Sequence, residues 1–113
     1  MSARLKSEIW AAAWLRRCAV AGASAVLRRR GAASAGAIFV KVDRLDGTAI
    51  LYGPAPQSDY GETADDRLFA RLHDAETIEA SAVEERMRKE IRFDPDLWLL
   101  EVEDREGRAF LDF

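Results

Sequence analysis

GAIFVKVDRLDGTAILYGPAPQ, residues 36–57, decides the fold. Ile38, Val40 and Val42 alternate with Phe39, Lys41 and Asp43, and a second β-rich run reaches Tyr52. Alternation with a period of two, interrupted by Asp46-Gly47, predicts a β-hairpin with a two-residue turn. In that register Lys41 faces Tyr52, Val42 faces Leu51 and Asp43 faces Ile50. Ile38, Val40, Val42 and Leu51 then share the core face, while Phe39, Lys41 and Tyr52 share the other, where Lys41 and Tyr52 touch. Gly53-Pro54-Ala55-Pro56 stops the hairpin and guards its edge, since proline lacks the donor that a further ladder would need.

Upstream, Ser7 is the expected N-cap of a helix that Gly22 ends. Trp10, Ala11, Trp14, Leu15, Cys18 and Ala19 form its apolar arc at 100° per residue. Residues 25–30, AVLRRR, read as a strand that leads into the loop GAASAG. Downstream, residues 54–66 read as a loop and residues 67–73 as a short edge strand. Ser81 and Glu84 have the spacing of a capping box, and Val83, Met87 and Ile91 line one face of the second helix. Pairs Glu84–Arg88 and Glu85–Lys89 are expected on its wet side. Pro95 ends this helix because it disfavours helical geometry at Asp94. DLWLLEVEDREGRAFLDF, residues 96–113, reads as a second hairpin. Trp98, Leu100 and Val102 lie on one face and Leu97 and Leu99 on the other; the turn falls at residues 104–107, and residues 109–111 return along the sheet. The expected fold is a single α+β domain over residues 1–113. Its order is α-β-β-β-(β)-α-β-β, with an antiparallel or mixed sheet built around two hairpins and two helices.

The totals fit a soluble globular protein: 113 residues, 49% apolar and 33% charged. One cysteine, Cys18, allows no internal disulfide and points to a reducing compartment. One histidine, His73, excludes the common Cys/His zinc sites within one chain. No apolar run approaches the ~20 residues of a membrane helix. The run IWAAAWL after Arg4 and Lys6 mimics a signal peptide, but Arg16-Arg17 follows it at once, where a cleavage region is uncharged. A cytoplasmic location is expected, with no membrane partner. Residues 1–42 carry a net +7 and the remainder −10, which together give the −3 of the chain. The simplest reading is that the two parts attract each other within one fold.

Three segments hold the candidate chemistry. Arg16, Arg17, Arg28, Arg29 and Arg30 are candidate anion ligands, since guanidinium forks suit phosphate and carboxylate. The acidic total and the placement of the tryptophans in the core argue against nucleic acid as the partner. Glu101 and Glu103 project from the same side of a strand, the ordinary pattern of a wet face, and no full metal-ligand set accompanies them. Tyr52, Gly53, Pro54, Gln57 and Tyr60 form a candidate binding lip. No catalytic signature occurs, so no catalytic residue, metal or cofactor is assigned.

RLKSEIW, LRR, GAIFVKVDRLDG, LYGPAPQ, RFDPDLWLLEVEDREGR and the closing FLDF together make the chain resemble a small alphaproteobacterial family of unknown function, DUF1491. RFDPDLW and YGPAPQ are the most specific of these segments, and the resemblance covers nearly the whole chain. It implies a stand-alone cytoplasmic protein and brings no activity, cofactor or catalytic residue. GAASAG and the helix around Ser81 are where this chain should depart most from its relatives.

The expected function is a non-enzymatic module that contacts another protein or a second copy of itself. The expected surface is the lip at residues 52–60 and the sheet face bearing Phe39 and Leu99, because apolar residues on both faces exceed what one helix layer covers. The alternatives are a small anion- or metabolite-binding protein or enzyme that uses the arginines with Glu101, and a nucleic-acid binder.

Overall fold

The computed structural model describes residues 5–56 and 67–112. Along the chain they form α1 (Ser7–Val20), β1 (Ser24–Arg29), β2 (Ile38–Asp43), β3 (Thr48–Pro54), β4 (Phe69–Arg71), β5 (Ile78–Glu79), α2 (Ala80–Phe93) and β6 (Trp98–Glu103). The sheet is mixed, in the order β1-β6-β2-β3-β4, and β5 also pairs with β3. β6 is antiparallel to β1 and parallel to β2. The long connection that parallel pairing requires is supplied by β3, β4, β5 and α2.

Strands buried on both faces read as nearly unbroken apolar runs. IFVKV and WLLEV are such runs, and each is interrupted once, at Lys41 and Glu101. These two residues are register partners across the β2–β6 ladder. Both faces of the sheet are covered, one by each helix. On the α1 side Ala11, Trp14 and Cys18 pack with Ile38, Val40, Val42, Ile50, Trp98, Leu100 and Val102. On the α2 side Val83 and Met87 pack with Phe39, Ala49, Leu51, Leu97 and Leu99. The face assignment of Trp98, Leu100 and Val102 against Leu97 and Leu99 agrees with the sequence reading.

The β2–β3 register differs from expectation by one residue. Val40 faces Tyr52, Lys41 faces Leu51 and Val42 faces Ile50. The connection is a longer loop in which Leu45 has φ 64° and Gly47 has φ 90°. Asp43 Oδ1 accepts the Leu45 amide at 2.8 Å, and Asp46 Oδ1 accepts the Thr48 amide at 2.9 Å. Side-chain acceptors that bond locally stabilise this wider turn in place of the tight one. A one-residue slip exchanges faces. Leu51 therefore lies on the α2 side and Tyr52 packs on the α1 side, so Lys41 and Tyr52 point apart.

Both expected helix caps are replaced by longer-range contacts. Ser7 is the first helical residue; its Oγ donates to the Gly36 carbonyl at 2.7 Å, while carbonyls of Ser34 and Ala33 accept the amides of Ser7 and Glu8. α2 starts at Ala80, whose amide donates to the Gly47 carbonyl at 2.9 Å. Ser81 is already inside the helix, and the Glu84 carboxylate is committed to Arg28 and Lys41, so neither half of the expected capping box forms. The second hairpin is absent: β1 and β2 already occupy both edges of β6, so residues 108–112 find no ladder and form no strand. They run beside α1, where Trp14 Nε1 donates to the Ala109 carbonyl at 3.0 Å and Arg17 to that of Phe110 at 2.8 Å.

Candidate functional site

The two interruptions in the buried strands are the seed of the most concentrated chemistry in the fold. Lys41 projects toward α2, and its side chain is only 7% exposed. An ammonium taken out of water is costly unless it is paired and hydrogen-bonded. Lys41 Nζ donates to Glu84 Oε2 at 2.7 Å and lies 3.8 Å from Glu101 Oε1. Arg28 of β1 closes the group. Its guanidinium forks onto both carboxylate oxygens of Glu84 at 2.8 Å and reaches Glu101 Oε1 at 2.9 Å. The fork is the strong, directional form of this pairing. Arg28 holds the Glu84 carboxyl down at about 2, with Lys41 assisting against the opposing effect of burial. The hydrogen bonds that Arg28 donates to Glu84 in turn raise the Arg28 pKa above its ordinary value.

Four charges, two of each sign, thus neutralise one another between β1, β2, β6 and α2. Glu84, which accepts from both cations, is held as the anion by them. Chemically the cluster is a fastener: it joins α2 to the sheet by charge beside the apolar contacts of Val83 and Met87. The expected exposed pairs Glu84–Arg88 and Glu85–Lys89 are replaced accordingly. Arg88 pairs with Glu85 at 3.2 Å and Arg86 with Glu90 at 2.8 Å.

The structure does not bring the five arginines together. Arg16 is exposed on α1, and Arg17 is bound to the Phe110 carbonyl. Arg28 belongs to the charge cluster, Arg29 donates to the Pro95 carbonyl at 2.7 Å, and Arg30 lies 5.3 Å over the Trp98 ring. An open groove of about 410 Å³ lies at one end of the sheet, lined by Ser24, Leu45, Glu103, Asp104 and Arg108 among others. Its buried carboxylate, Asp104, is already bound by the Arg108 guanidinium at 2.7 Å and by the Arg108 amide. Among the described residues no three His, Cys, Asp or Glu side chains converge on a metal position. Cys18 is buried, and burial pushes its thiol up to about 11 despite the opposing charge of Arg17.

The sheet face expected to be available for docking is closed. Phe39 and Leu99 are 6% and 3% exposed, because α2 covers them. Gly53 is buried as well, and a Cβ there would meet Leu72 and Phe39 side-chain atoms at 2.8 and 2.9 Å. Tyr52 is half-buried against the α1-side core, and Pro54 is exposed opposite Phe69. Gln57 and Tyr60 lie outside the described residues.

Exposed apolar side chains occur in several places, and three of them, which the sequence reading missed, belong to segments near Pro54. Leu5, Ile9 and Leu68 are 51%, 48% and 60% exposed. The Ala55 amide donates to the Leu68 carbonyl at 2.9 Å, and Arg67 Nη2 donates to the Leu5 carbonyl at 2.8 Å. Trp10 and Phe69 pack with ring centroids 5.2 Å apart and their planes tilted by 37°. These contacts gather the start of α1, the end of β3 and the start of β4 into one neighbourhood. Trp10 was legible as an apolar helix residue, but its partner Phe69 is 59 positions away and no local pattern links them.

Residues 5–112 match the family model described as "Protein of unknown function (DUF1491)". A solution structure of protein Atu0922 from A. tumefaciens is 39% identical, with a TM-score of 0.80, over 96% of this chain and 92% of that one. A crystal structure of a DUF1491 family protein from Caulobacter crescentus is 37% identical, with a TM-score of 0.77, over 95% and 92%. An NMR structure of a DUF1491 family protein from the same organism gives 37% and 0.79 over 97% and 94%. No curated protein matches the chain.

Proposed function

This chain belongs to the DUF1491 family, whose description states no function, and we propose that it is a non-enzymatic interaction module whose partner is a second copy of itself. The observation that carries this reading is the exposure of Leu5, Ile9 and Leu68 on the segments that the Trp10–Phe69 pair brings together. Large apolar side chains exposed in one neighbourhood mark contact surfaces more often than scattered ones do. Lys6 and Glu8, both exposed, adjoin Leu5 and Ile9 in the chain with one charge of each sign. A two-fold contact is self-complementary, so Lys6 of one copy can meet Glu8 of the other. A cytoplasmic location goes with this reading, supported by a single, buried cysteine and by the absence of any helix among the described residues long and apolar enough to cross a membrane. Anion or nucleic-acid binding is not carried forward, because Arg17, Arg28, Arg29 and Arg30 are already engaged within the fold.

Light scattering after size exclusion tests the reading. The wild-type chain should elute as a dimer at high micromolar concentration, and Leu68→Glu should convert it to a folded monomer. A wild-type chain that stays monomeric throughout that range would overturn it.

A further inference from the structure

The outer neighbour of β3 is broken in two, and a side chain fills the break. β4 pairs with β3 from Pro54 to Tyr52, and the Leu72 amide then donates to the Leu51 carbonyl at 2.9 Å. β5 resumes the pairing only at Ala49 and Thr48. Between them the Leu51 amide has no backbone acceptor in the ladder. It donates instead to His73 Nε2 at 3.0 Å, while His73 Nδ1 lies 2.7 Å from the Ala75 carbonyl. A ring nitrogen stands where a strand carbonyl would be.

This geometry fixes the state of the ring. Nε2 must be the bare nitrogen that accepts from Leu51, and Nδ1 must carry the hydrogen donated to Ala75. An imidazolium has donors on both nitrogens, so it would set an N–H against the Leu51 N–H. Histidine is the side chain type whose charge ordinarily changes between pH 5 and 8. We propose that His73 is a proton-sensitive latch: in its neutral form it closes the gap in the β3 ladder, and protonation releases the segment between β4 and α2. The fold requires the unprotonated ring, so the closed form is favoured at higher pH and is lost as pH falls.

The charged neighbours do not substitute for this contact. Arg71, on β4, donates to the carbonyls of His73 and Asp74 at 2.9 and 3.0 Å. Arg86, on α2, reaches the Leu72 carbonyl at 3.3 Å and is held by Glu90. Both arginines bind backbone oxygens, whose capacity is indifferent to the ring proton. The segment itself brings Asp74 and Glu76. On the β2 side, the register partner of Leu51 is Lys41, which is engaged by Glu84. None of these supplies an acceptor positioned for the Leu51 amide. The released residues include Leu72 and Ile78, which pack on the α2-side core, so opening would loosen the approach to α2.

Amide hydrogen exchange on the full chain tests the latch, with rates corrected for the intrinsic effect of pH. Between pH 7.5 and 5.5, protection of the Leu51 amide and of residues 72–79 should fall about tenfold, the scale of one net hydrogen bond, while β6 holds its protection. His73→Gln offers a carbonyl acceptor without a titrating ring and should abolish the pH dependence; His73→Leu should leave Leu51 unprotected at both pH values. Nitrogen shifts of the wild-type ring at pH 7.5 should report the Nδ1–H tautomer. An Nε2–H ring, a pH-independent Leu51 amide, or an equal loss in His73→Gln would each overturn the proposal.

Discussion

Trp14 and Ala109, 95 residues apart, are joined by a hydrogen bond from the indole Nε1 to a backbone carbonyl at 3.0 Å. Trp14 is almost fully buried, so this bond satisfies two polar groups that water cannot reach. Through it the basic first helix is tied to the segment that follows β6. Trp14→Phe should remove the donor, orphan the Ala109 carbonyl and leave a small void. The expected cost is about 2–3 kcal/mol in urea denaturation. Protease treatment of the wild-type chain should likewise fail to release α1 while the rest stays folded. An unchanged unfolding midpoint for Trp14→Phe would mean that α1 is not part of the cooperative unit.

The Lys41–Glu84 pair should behave as a buried pair does, with breakage costing more than the pair contributes. Glu84→Ala leaves Lys41 with a carboxylate only at 3.8 Å and takes the fork from Arg28. Removing one partner of a fully buried pair costs roughly 3–5 kcal/mol, and the part-exposed side of this cluster lowers that to about 2. Lys41→Met should cost less, since Glu84 keeps Arg28 and the methionine can pack against Met87 and its neighbours. A double-mutant cycle on stability measures the coupling. Equal losses for the two single variants would contradict the assignment of Glu84 as the hub.

The same carboxylate sets an acid limit. The Glu84 carboxyl is depressed from an ordinary 4.5 to about 2, chiefly by the Arg28 hydrogen bond. A group with a depressed pKa in the fold stabilises it fully above the unfolded value and loses that contribution as pH falls through the folded one. Stability should therefore decline between about pH 4.5 and 2. In Glu84→Gln that decline should be shallower and the starting stability lower. Thermal melts from pH 6 to 2 read both, and parallel curves for the two proteins would count against the role of Glu84.

How far this was legible depends on whether the deciding contact was local. Trp98, Leu100 and Val102 declared their common face by period alone, and Pro95 declared the end of α2. The β2–β3 register was misread because Asp46-Gly47 signals a tight turn, whereas Asp43 and Asp46 side chains bond the backbone of a longer one. That single slip sent Leu51 to the wrong face. Phe39 and Leu99 were read as surplus apolar surface, although strands apolar on both faces also mean a second covering layer. The charge cluster needed three register facts at once: β2 beside β6, β1 beside β6, and α2 above them. No spacing in the sequence places Arg28, Lys41, Glu84 and Glu101 together. The expected capping role of Glu84 was a sound local reading that a stronger distant partner displaced.

The loop GAASAG gives the sharpest contrast between two kinds of glycine. Gly31 and Gly36 both back onto the carbonyl oxygen of Asp96, and a Cβ on either would overlap that backbone atom. The loop is held there from several sides: the Ala32 amide donates to the Asp96 carbonyl at 2.9 Å, Trp98 Nε1 donates to the Ala32 carbonyl at 2.8 Å, and the Ser7 hydroxyl binds the Gly36 carbonyl. Neither the loop nor residues 94–97 can withdraw without breaking these bonds and the start of α1. Gly31→Ala and Gly36→Ala should each cost about 3 kcal/mol or more, as overpacking against backbone does. Gly22 differs: it has φ +81° but open space where a Cβ would be. Gly22→Ala should cost only the left-handed penalty, about 1–2 kcal/mol. Urea unfolding of the three variants measures the order, and a Gly36→Ala loss no larger than that of Gly22→Ala would show that the Asp96 carbonyl can move aside.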